Sequence, residues 1–311
     1  MNMLKDEFSR RQFLQTSAAA SLMAWFAPGL ALAAKSAVIR KTIPSSGERL
    51  SVIGLGTSRT FDVDSDTAVT SPLMSVMQAF FDNHGQLIDS SPMYGRAEAV
   101  TGALVKQATN KQDIFTATKV WTYGKSEGIE QMERSMRRLG VDQIDLMQIH
   151  NLRDWQNHID TLVEWKAEGR IRYIGITTSH GRYHDELEEL MQQLPLDFVQ
   201  FSYNILNRTA EQRLLPIARE KGIATLINRP YQRGSLFRKV KGRNLPAWAA
   251  DIDCASWGQF FLKFIAAHPA VTCVIPATSK LKHMVDNMAA GYGRLPDEPT
   301  RQRMIKLMQT L

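Results

Sequence analysis

Residues 114–150 read IFTATKVWTYGKSEGIEQMERSMRRLGVDQIDLMQIH. Two short apolar runs, Ile114–Val120 and Asp145–His150, enclose a stretch in which apolar residues recur at helical spacing from Ile129 to Leu139. Gly140 then supplies a helix stop. Short, nearly continuous apolar runs are typical of strands that are covered on both faces. The segment therefore predicts one strand–helix–strand unit.

The same alternation of an apolar run and an amphipathic stretch occurs eight times along the chain. The other six predicted strands are Val52–Thr57, Leu87–Ser91, Tyr173–Thr178, Phe198–Asn204, Ala224–Pro230 and Val271–Thr278. One of the helices is expected to begin in a capping box of Thr209 and Gln212 and to end at Gly222. Eight strand–helix units predict an α/β fold, a single (β/α)8 TIM barrel over residues 34–311.

A β-hairpin is expected ahead of the barrel, because Val38–Thr42 and Arg49–Ser51 flank the turn sequence PSSG at 44–47. The competing architecture is a doubly wound open sheet, which usually carries a glycine-rich phosphate loop at its first strand–helix turn. Here residues 54–59 read GLGTSR, with no third glycine in register. This difference favours the barrel.

Composition narrows the class of protein further. The chain has 311 residues, of which 44% are hydrophobic and 22% are charged, and this excludes a disordered chain. Its two cysteines, Cys254 and Cys273, are too few for a disulfide framework or a four-cysteine zinc site. The net charge of +7 permits many anionic partners without naming one.

Residues 1–33 predict a cleavable export signal. The segment contains SRRQFL at 9–14, an alanine-rich apolar run interrupted by Pro28-Gly29, and an A-x-A cleavage site at 31–33. The alternatives are a disordered N-terminus and an uncleaved anchor, but Pro28-Gly29 argues against a long spanning helix. We therefore expect a twin-arginine signal, the twin-arginine export machinery as a partner, a periplasmic or otherwise exported location, and no stable membrane span in the mature protein.

Polar side chains end three consecutive predicted strands. They are Asp89, Lys119 and His150, and Tyr94 follows in the loop after Asp89. Active sites of TIM barrels lie at the C-terminal ends of the strands. Alone, each residue has an ordinary explanation as a loop cap, a half-buried aromatic or a core histidine, although a lysine inside a buried strand needs a partner.

Together the four side chains make a chemically coherent set. Asp89 can keep Lys119 charged, and that charge is expected to lower the pKa of the Tyr94 phenol, which starts near ~10. Such a tyrosine can give a proton at neutral pH, and His150 can hydrogen-bond and orient the same oxygen. This suits protonation of a carbonyl oxygen while another group attacks the carbon. No side chain here is an obvious nucleophile, so the attacking group is expected to be a cofactor hydride.

These residues lie in sequence pieces that resemble the aldo-keto reductase family. The pieces are GLGT at 54–57, IDSSPMYG at 88–95, TKVW at 118–121, LMQIH at 146–150, VQFSYN at 199–204 and IPATSK at 275–280. The resemblance implies reduction of a small-molecule aldehyde or ketone with NADPH, and less readily with NADH. It makes Tyr94 the general acid, Lys119 the residue that lowers its pKa, Asp89 the partner of Lys119, and His150 the residue that orients the carbonyl. Trp121 would line the substrate pocket, or pack at the barrel rim.

The resemblance also implies a cofactor cleft. It places the nicotinamide amide at Thr178 and Gln200, and it leaves Asn228 or Arg229 to cover the ring where relatives carry a tyrosine. The basic run at 238–243 either folds over the pyrophosphate or is a solvated loop. The other implied cofactor contacts are Gly56, Thr57, Asp89, Pro230, Thr278, Lys280, His283, Asp286 and Asn287.

The same residues are compatible with two other functions. A cofactor-retaining redox sensor or partner-binding protein with slow chemistry is the main alternative, similar to the potassium-channel β subunits, and a catalytically dead scaffold is a third. His180 and His184 stand four residues apart, but no acidic residue completes a zinc pattern, so we expect no metal. We expect no nucleic-acid partner, because no aromatic residues interleave the basic run.

Overall fold

The computed structural model describes residues 37–68, 70–111 and 113–311. The chain enters the described region through an antiparallel hairpin of β1 (Arg40–Thr42) and β2 (Arg49–Ser51). Gly47 has a φ of +79° in the connecting turn, a conformation that favours glycine. The predicted hairpin is confirmed. The predicted export signal at 1–33 lies outside the described residues.

Eight parallel strands follow the hairpin, and each pairs with the next along the chain. They are β3 (Leu55–Gly56), β4 (Leu87–Asp89), β5 (Phe115–Val120), β6 (Ile144–His150), β7 (Ile171–Thr177), β8 (Phe198–Ser202), β9 (Ala224–Asn228) and β10 (Cys273–Val274). Single bridges from Ile53 to Val274 and from Gly56 to Ala277 connect the first strand to the last. The sheet therefore closes into a barrel, and the (β/α)8 prediction is confirmed.

Glycine allows this closure. A Cβ atom on Gly54 would lie 2.8 Å from the carbonyl oxygen of Leu87, and one on Gly56 would lie 2.9 Å from that of Ile275. Contacts this short would push the neighbouring strands apart. The two glycines of the GLGT piece are therefore explained by close approach between strands.

Helices alternate with the strands and cover the outside of the barrel. They are α1 (Ser65–Ala68), α2 (Pro72–Asp82), α3 (Ala97–Gln107), α4 (Lys125–Leu139), α5 (Trp155–Ala167), α6 (His184–Gln193), α7 (Leu214–Lys221), α8 (Ser235–Lys239), α9 (Trp257–Ala266), α10 (Leu281–Ala289) and α11 (Glu298–Thr310). Short 3-10 helices begin several of the connecting segments, including Pro92–Tyr94 after β4. No helix in the described part of the chain is long and apolar enough to cross a membrane.

Local signals explain some of the helix ends. Gly140 and Gly222 cap α4 and α7 with φ values of +72° and +68°, as their sequence positions predict. The predicted capping box at Thr209 and Gln212 is wrong. Thr209 instead begins a 3-10 turn in which its carbonyl accepts from the Gln212 N–H at 3.1 Å, and α7 starts later, at Leu214.

Candidate active site

A buried ion pair lies at the carboxyl ends of β4 and β5. Lys119 is fully buried, and its Nζ donates to the two carboxylate oxygens of Asp89 at 2.8 and 2.7 Å and to the carbonyl of Ser90 at 2.7 Å. Gln148 on β6 donates a further bond to Asp89 at 3.0 Å. Burial acts to lower the pKa of Lys119, but Asp89 and then Tyr94 outweigh it and raise that pKa above its usual value. The pair therefore holds a charged ammonium inside the barrel.

Tyr94 lies over this ammonium. It ends the 3-10 helix Pro92–Tyr94, and Lys119 Nζ is 5.2 Å from the centroid of its ring. The ring of His150 meets it nearly edge-on, with 5.7 Å between centroids. The structure thus brings Asp89, Tyr94, Lys119 and His150 together at one end of the barrel.

The expected lowering of the Tyr94 pKa is wrong in its net direction. Burial raises the pKa of Tyr94 and outweighs the opposing effect of the Lys119 charge, so the pKa lies above its usual value. Lys119 does act with the expected sign, but the phenol occupies a site with too little water to ionise readily. Tyr94 is therefore protonated at neutral pH, which is the state a proton donor needs.

His150 ends β6 as a neutral imidazole. Burial, and then the charges of Lys119 and Arg153, lower its pKa to about 2. Its Nδ1 lies 2.9 Å from the hydroxyl of Ser91, which also accepts a hydrogen bond from the N–H of Met93 at 3.2 Å. Ser91 is completely buried.

The Ser91 hydroxyl selects the tautomer of His150. Within the described residues, Nδ1 of His150 is the sole acceptor in reach of the Ser91 hydrogen. If Nδ1 carried the proton, a buried hydroxyl hydrogen would be left without a partner. Ser91 therefore donates to Nδ1, and Nε2 of His150 carries the N–H. Nε2 makes no hydrogen bond to any described residue, so this donor remains available for a ligand.

Three buried polar atoms without partners lie in or directly after neighbouring strands. They are Oδ1 of Asn151 after β6, Oγ1 of Thr178 after β7 and Nε2 of Gln200 in β8. Buried polar groups are normally hydrogen-bonded, so unpaired ones beside a reactive centre mark a place for a polar ligand. An amide donor, an amide acceptor and a hydroxyl that can do either suit a carboxamide, which offers one carbonyl oxygen and one NH2 group. These residues therefore fit a nicotinamide ring.

Two of the other implied cofactor contacts hold the backbone. The Thr57 hydroxyl donates to the carbonyl of Asp89 at 3.0 Å and bonds to the Ser90 hydroxyl at the same distance. The amide of Asn228 donates to the carbonyl of Thr178 at 2.9 Å and accepts from the Ser202 hydroxyl at 2.6 Å. Both side chains brace the strand ends that carry the site.

Asp286 and Asn287 both form hydrogen bonds within the protein. The two carboxylate oxygens of Asp286 accept from the Ser256 hydroxyl and from Gln259 Nε2, both at 2.7 Å, next to the first turn of α9. Oδ1 of Asn287 accepts from the Tyr231 hydroxyl at 2.6 Å. Protein partners therefore occupy these acceptor atoms.

A second group of the implied contacts is cationic and unpaired. Lys280 and His283 lie at the start of α10, next to Lys282, and burial followed by the two lysine charges lowers the pKa of His283. In the described chain neither lysine forms an ion pair. Thr278 accepts the N–H of Lys280 at 3.1 Å. Cations at a helix N-terminus make a site for a phosphate.

A group of arginines also lies near Tyr94. Arg229 follows β9 with a φ of +50°, and Pro230 after it is buried. Burial, and then the charges of Arg233 and Arg59, lower the pKa of Arg229, whose charge also acts on Tyr94. None of the three guanidinium groups has an acidic partner among residues 37–68, 70–111 and 113–311. The cluster is therefore suited to an anion.

Two further features bear on alternative chemistry. A cavity of about 280 Å³ lies at the amino-terminal ends of β4 and β5, lined in part by Arg40, Asp82 and His84, and contains none of the four reactive side chains. No group of three or more His, Cys, Asp or Glu residues in the described chain could hold a metal ion. This cavity therefore lies at the end of the barrel away from Asp89, Lys119 and His150.

The model of the aldo/keto reductase family matches residues 52–302, which is most of the chain. The chain belongs to the aldo/keto reductase family. An uncharacterized oxidoreductase of Schizosaccharomyces pombe is 31% identical over 210 residues, covering 67% of this chain and 64% of that protein. An Escherichia coli NADH-specific methylglyoxal reductase is 30% identical over 195 residues, covering 52% of this chain and 57% of that one. The matches thus span less than two thirds of the length of these two relatives.

Solved structures of this family show the same fold. An aldo/keto reductase from Klebsiella pneumoniae, crystallised with NADP and acetate, superposes with a TM-score of 0.73 at 22% identity, over 87% of this chain and 96% of that one. The holo form of an aldo-keto reductase from Bacillus halodurans gives 0.70 at 23% identity, over 88% and 96% of the two chains. Identity at this level supports the architecture alone.

Some residues of this aldo-keto reductase site escaped the sequence analysis. Ser91 lies within the IDSSPMYG piece, but its contact with His150 joins two strands 59 residues apart. Asn151 directly follows the histidine, and Gln148 precedes it by two positions on the same strand face. Their nearness to predicted strand ends could have indicated Ser91 and Asn151, and alternation along the strand could have placed Gln148 on the face of His150.

Proposed function

We propose that this protein reduces the carbonyl group of an aldehyde or ketone, with Tyr94 as the proton donor. The observation that carries the proposal is the buried Lys119–Asp89 pair beneath the Tyr94 ring, 5.2 Å from ammonium to ring centroid. Burial of two charges costs free energy, which their mutual attraction and hydrogen bonds must offset. The ring of the same phenol lies 5.7 Å from that of His150, between centroids.

The chain's own residues perform the proton chemistry. Tyr94 gives its hydroxyl proton to the carbonyl oxygen, and the N–H at Nε2 of His150 holds the same oxygen in place. The phenolate left on Tyr94 is stabilised by the charge of Lys119, which Asp89 and Gln148 keep in position. A reduced nicotinamide dinucleotide, when bound, would supply the hydride for the carbonyl carbon.

We propose NADPH as the preferred dinucleotide. Asn151, Thr178 and Gln200 would hold the carboxamide through their unpaired atoms. The cations at the start of α10 would hold the 2′-phosphate, and the arginines around Arg229 would hold the pyrophosphate. The Klebsiella protein was crystallised with NADP, although the E. coli relative is named as NADH-specific.

Steady-state oxidation of NADPH with a panel of aldehydes tests the proposal, with Tyr94→Phe beside the parent. We expect many turnovers by the parent and a loss of at least ~10²-fold in the variant. Circular dichroism and melting of the variant control for folding. A single turnover by the parent would support the redox-sensor alternative, and equal rates for both proteins would refute Tyr94 as the acid.

We also propose that the protein is exported by the twin-arginine route and carries its cofactor with it. The support is the order of the Arg10-Arg11 pair, the apolar run and the A-x-A site. Fractionation of cells that express the parent and the Arg10→Lys/Arg11→Lys variant tests the route. We expect export of the parent alone, with dinucleotide detected in the exported protein by mass analysis. Export of both proteins, or an exported protein without dinucleotide, would contradict the respective part of the proposal.

A further inference from the structure

Arg153 lies beside the reactive centre without a partner for its charge. It is half-buried in the loop after β6, and its Cζ is 4.3 Å from the centroid of the Trp121 ring and 4.8 Å from that of Tyr123. Within the described residues its guanidinium makes no hydrogen bond and no ion pair. Aromatic rings cover the surface of the side chain without using any of its five N–H donors.

The loop that carries Arg153 has an unusual backbone. Asn151, Leu152 and Asp154 all have left-handed φ values, of +54°, +56° and +53°, and none of them is glycine. Such residues cost free energy and persist only where the surroundings hold them. The carboxylate of Asp154 accepts from the Gly124 N–H at 2.7 Å, and the N–H of Arg153 donates to the carbonyl of His150 at 3.2 Å. The loop therefore holds Arg153 in a defined place.

That place is within reach of a substrate bound at His150. The Trp121 ring lies 6.4 Å from the His150 ring, so the guanidinium lies at most about 11 Å from the imidazole. The exposed Tyr123 ring lies on the solvent side of this path. A carbonyl compound several bonds long would span the separation.

We propose that Arg153 binds an oxyanion of the substrate, so that this protein prefers aldehydes or ketones that carry a carboxylate a few bonds from the carbonyl. The inference rests on the proposed function and names its substrate class. A guanidinium pairs with a carboxylate through two parallel N–H bonds, and its contacts with the two rings reduce the freedom lost on binding. The neutral imidazole of His150 remains free to hold the carbonyl oxygen at the other end.

A matched pair of substrates isolates this interaction. The probes are 4-carboxybenzaldehyde and its neutral methyl ester, methyl 4-formylbenzoate, which differ in charge but share the ring and the aldehyde. The proteins are the parent, Arg153→Gln and Arg153→Lys. We expect the ratio of kcat/KM for the acid to that for the ester to fall by about 10- to 100-fold in Arg153→Gln, mainly through KM. Arg153→Lys should recover part of the preference, since it keeps the charge but loses the planar fork.

Salt separates an electrostatic anchor from a structural role. In the parent, the KM for the acid should rise with ionic strength while that for the ester stays constant, and Arg153→Gln should abolish the difference. If the substitution lowers kcat/KM equally for both probes, Arg153 only positions Trp121 and the inference is refuted. An unchanged ratio refutes it as well. If the parent reduces neither aldehyde nor any other carbonyl in the panel, the proposed function itself fails.

Discussion

Replacement of Ser91 by alanine tests how the barrel holds its histidine. The change removes one hydroxyl that donates to Nδ1 of His150 at 2.9 Å and accepts from the Met93 N–H at 3.2 Å. No side chain has to move to accommodate the smaller residue. The imidazole loses the partner that favours the tautomer with the proton on Nε2.

The size of the effect follows from the lost bonds. A neutral hydrogen bond contributes about 0.5–1.5 kcal/mol net, which is the bias that keeps the proton on Nε2. Removing it should lower kcat/KM by about 2- to 12-fold, since 1.4 kcal/mol corresponds to a factor of ten. The buried Nδ1 and the Met93 N–H lose their partner, which should lower the free energy of unfolding by about 1–3 kcal/mol.

Three measurements examine the variant together. Nitrogen-15 NMR of the imidazole reports the tautomer directly, steady-state kinetics report kcat/KM, and urea unfolding reports stability. Ser90→Ala is the matched control, because it also removes a buried hydroxyl, one bonded to Thr57 at 3.0 Å, without touching His150. Ser91→Thr keeps the hydroxyl and should restore the tautomer. If Ser91→Ala leaves both the tautomer and kcat/KM as in the parent, the assigned role of Ser91 is refuted.

Three other outcomes are expected. Lys119→Met leaves the Asp89 carboxylate buried without its cation, so the free energy of unfolding in urea should fall by about 3–5 kcal/mol. Adding Asp89→Asn to Lys119→Met should restore part of this loss. Equal stability of Lys119→Met and the parent would contradict the burial argument. The pKa of His150 is lowered from 6.5 to about 2, so the folded state binds fewer protons than the unfolded state between these values. The contribution of His150 to the free energy of unfolding is therefore highest above pH 6.5 and declines as the pH falls, by up to ~1.4 kcal/mol per pH unit. His150→Asn should flatten this pH dependence in unfolding curves measured from pH 7 to pH 4. Gly56→Ala would place a Cβ 2.9 Å from the carbonyl oxygen of Ile275, so the melting temperature should fall by several degrees, for a cost of about 1–3 kcal/mol, and an unchanged melting temperature would show that the strands can separate freely.

The barrel, and the grouping of Asp89, Tyr94, Lys119 and His150 at one end of it, could be predicted from the sequence for one reason. Parallel strands that are buried on both faces leave short apolar runs, and a TIM barrel places its chemistry where those runs end. Asp89 and His150 are the last residues of β4 and β6 in the structure, and Lys119 is the last but one of β5. Their order along the chain was therefore sufficient to predict that they lie together.

The errors concern properties that depend on surroundings. The net pKa of Tyr94 depends on how far burial exceeds the Lys119 charge, and no spacing in the sequence records that balance. The helix start expected at Thr209 moved to Leu214 because the chain makes a 3-10 turn first. The expected cofactor contacts of Asp286 and Asn287 stay predictions, and the structure adds that both side chains are hydrogen-bonded within the protein.

Periodicity and residue order along the chain were enough to determine the barrel and its hairpin, and they predict Tyr94 as the proton donor, because hydrophobic pattern and motif order can be read without the tertiary structure. Three-dimensional packing alone decided which hydroxyl orients His150, which polar atoms stay unpaired for a ligand, and where the guanidinium of Arg153 lies. Hydrogen bonds and electrostatic fields act over a few ångströms in space, and these contacts join residues that lie far apart in the sequence.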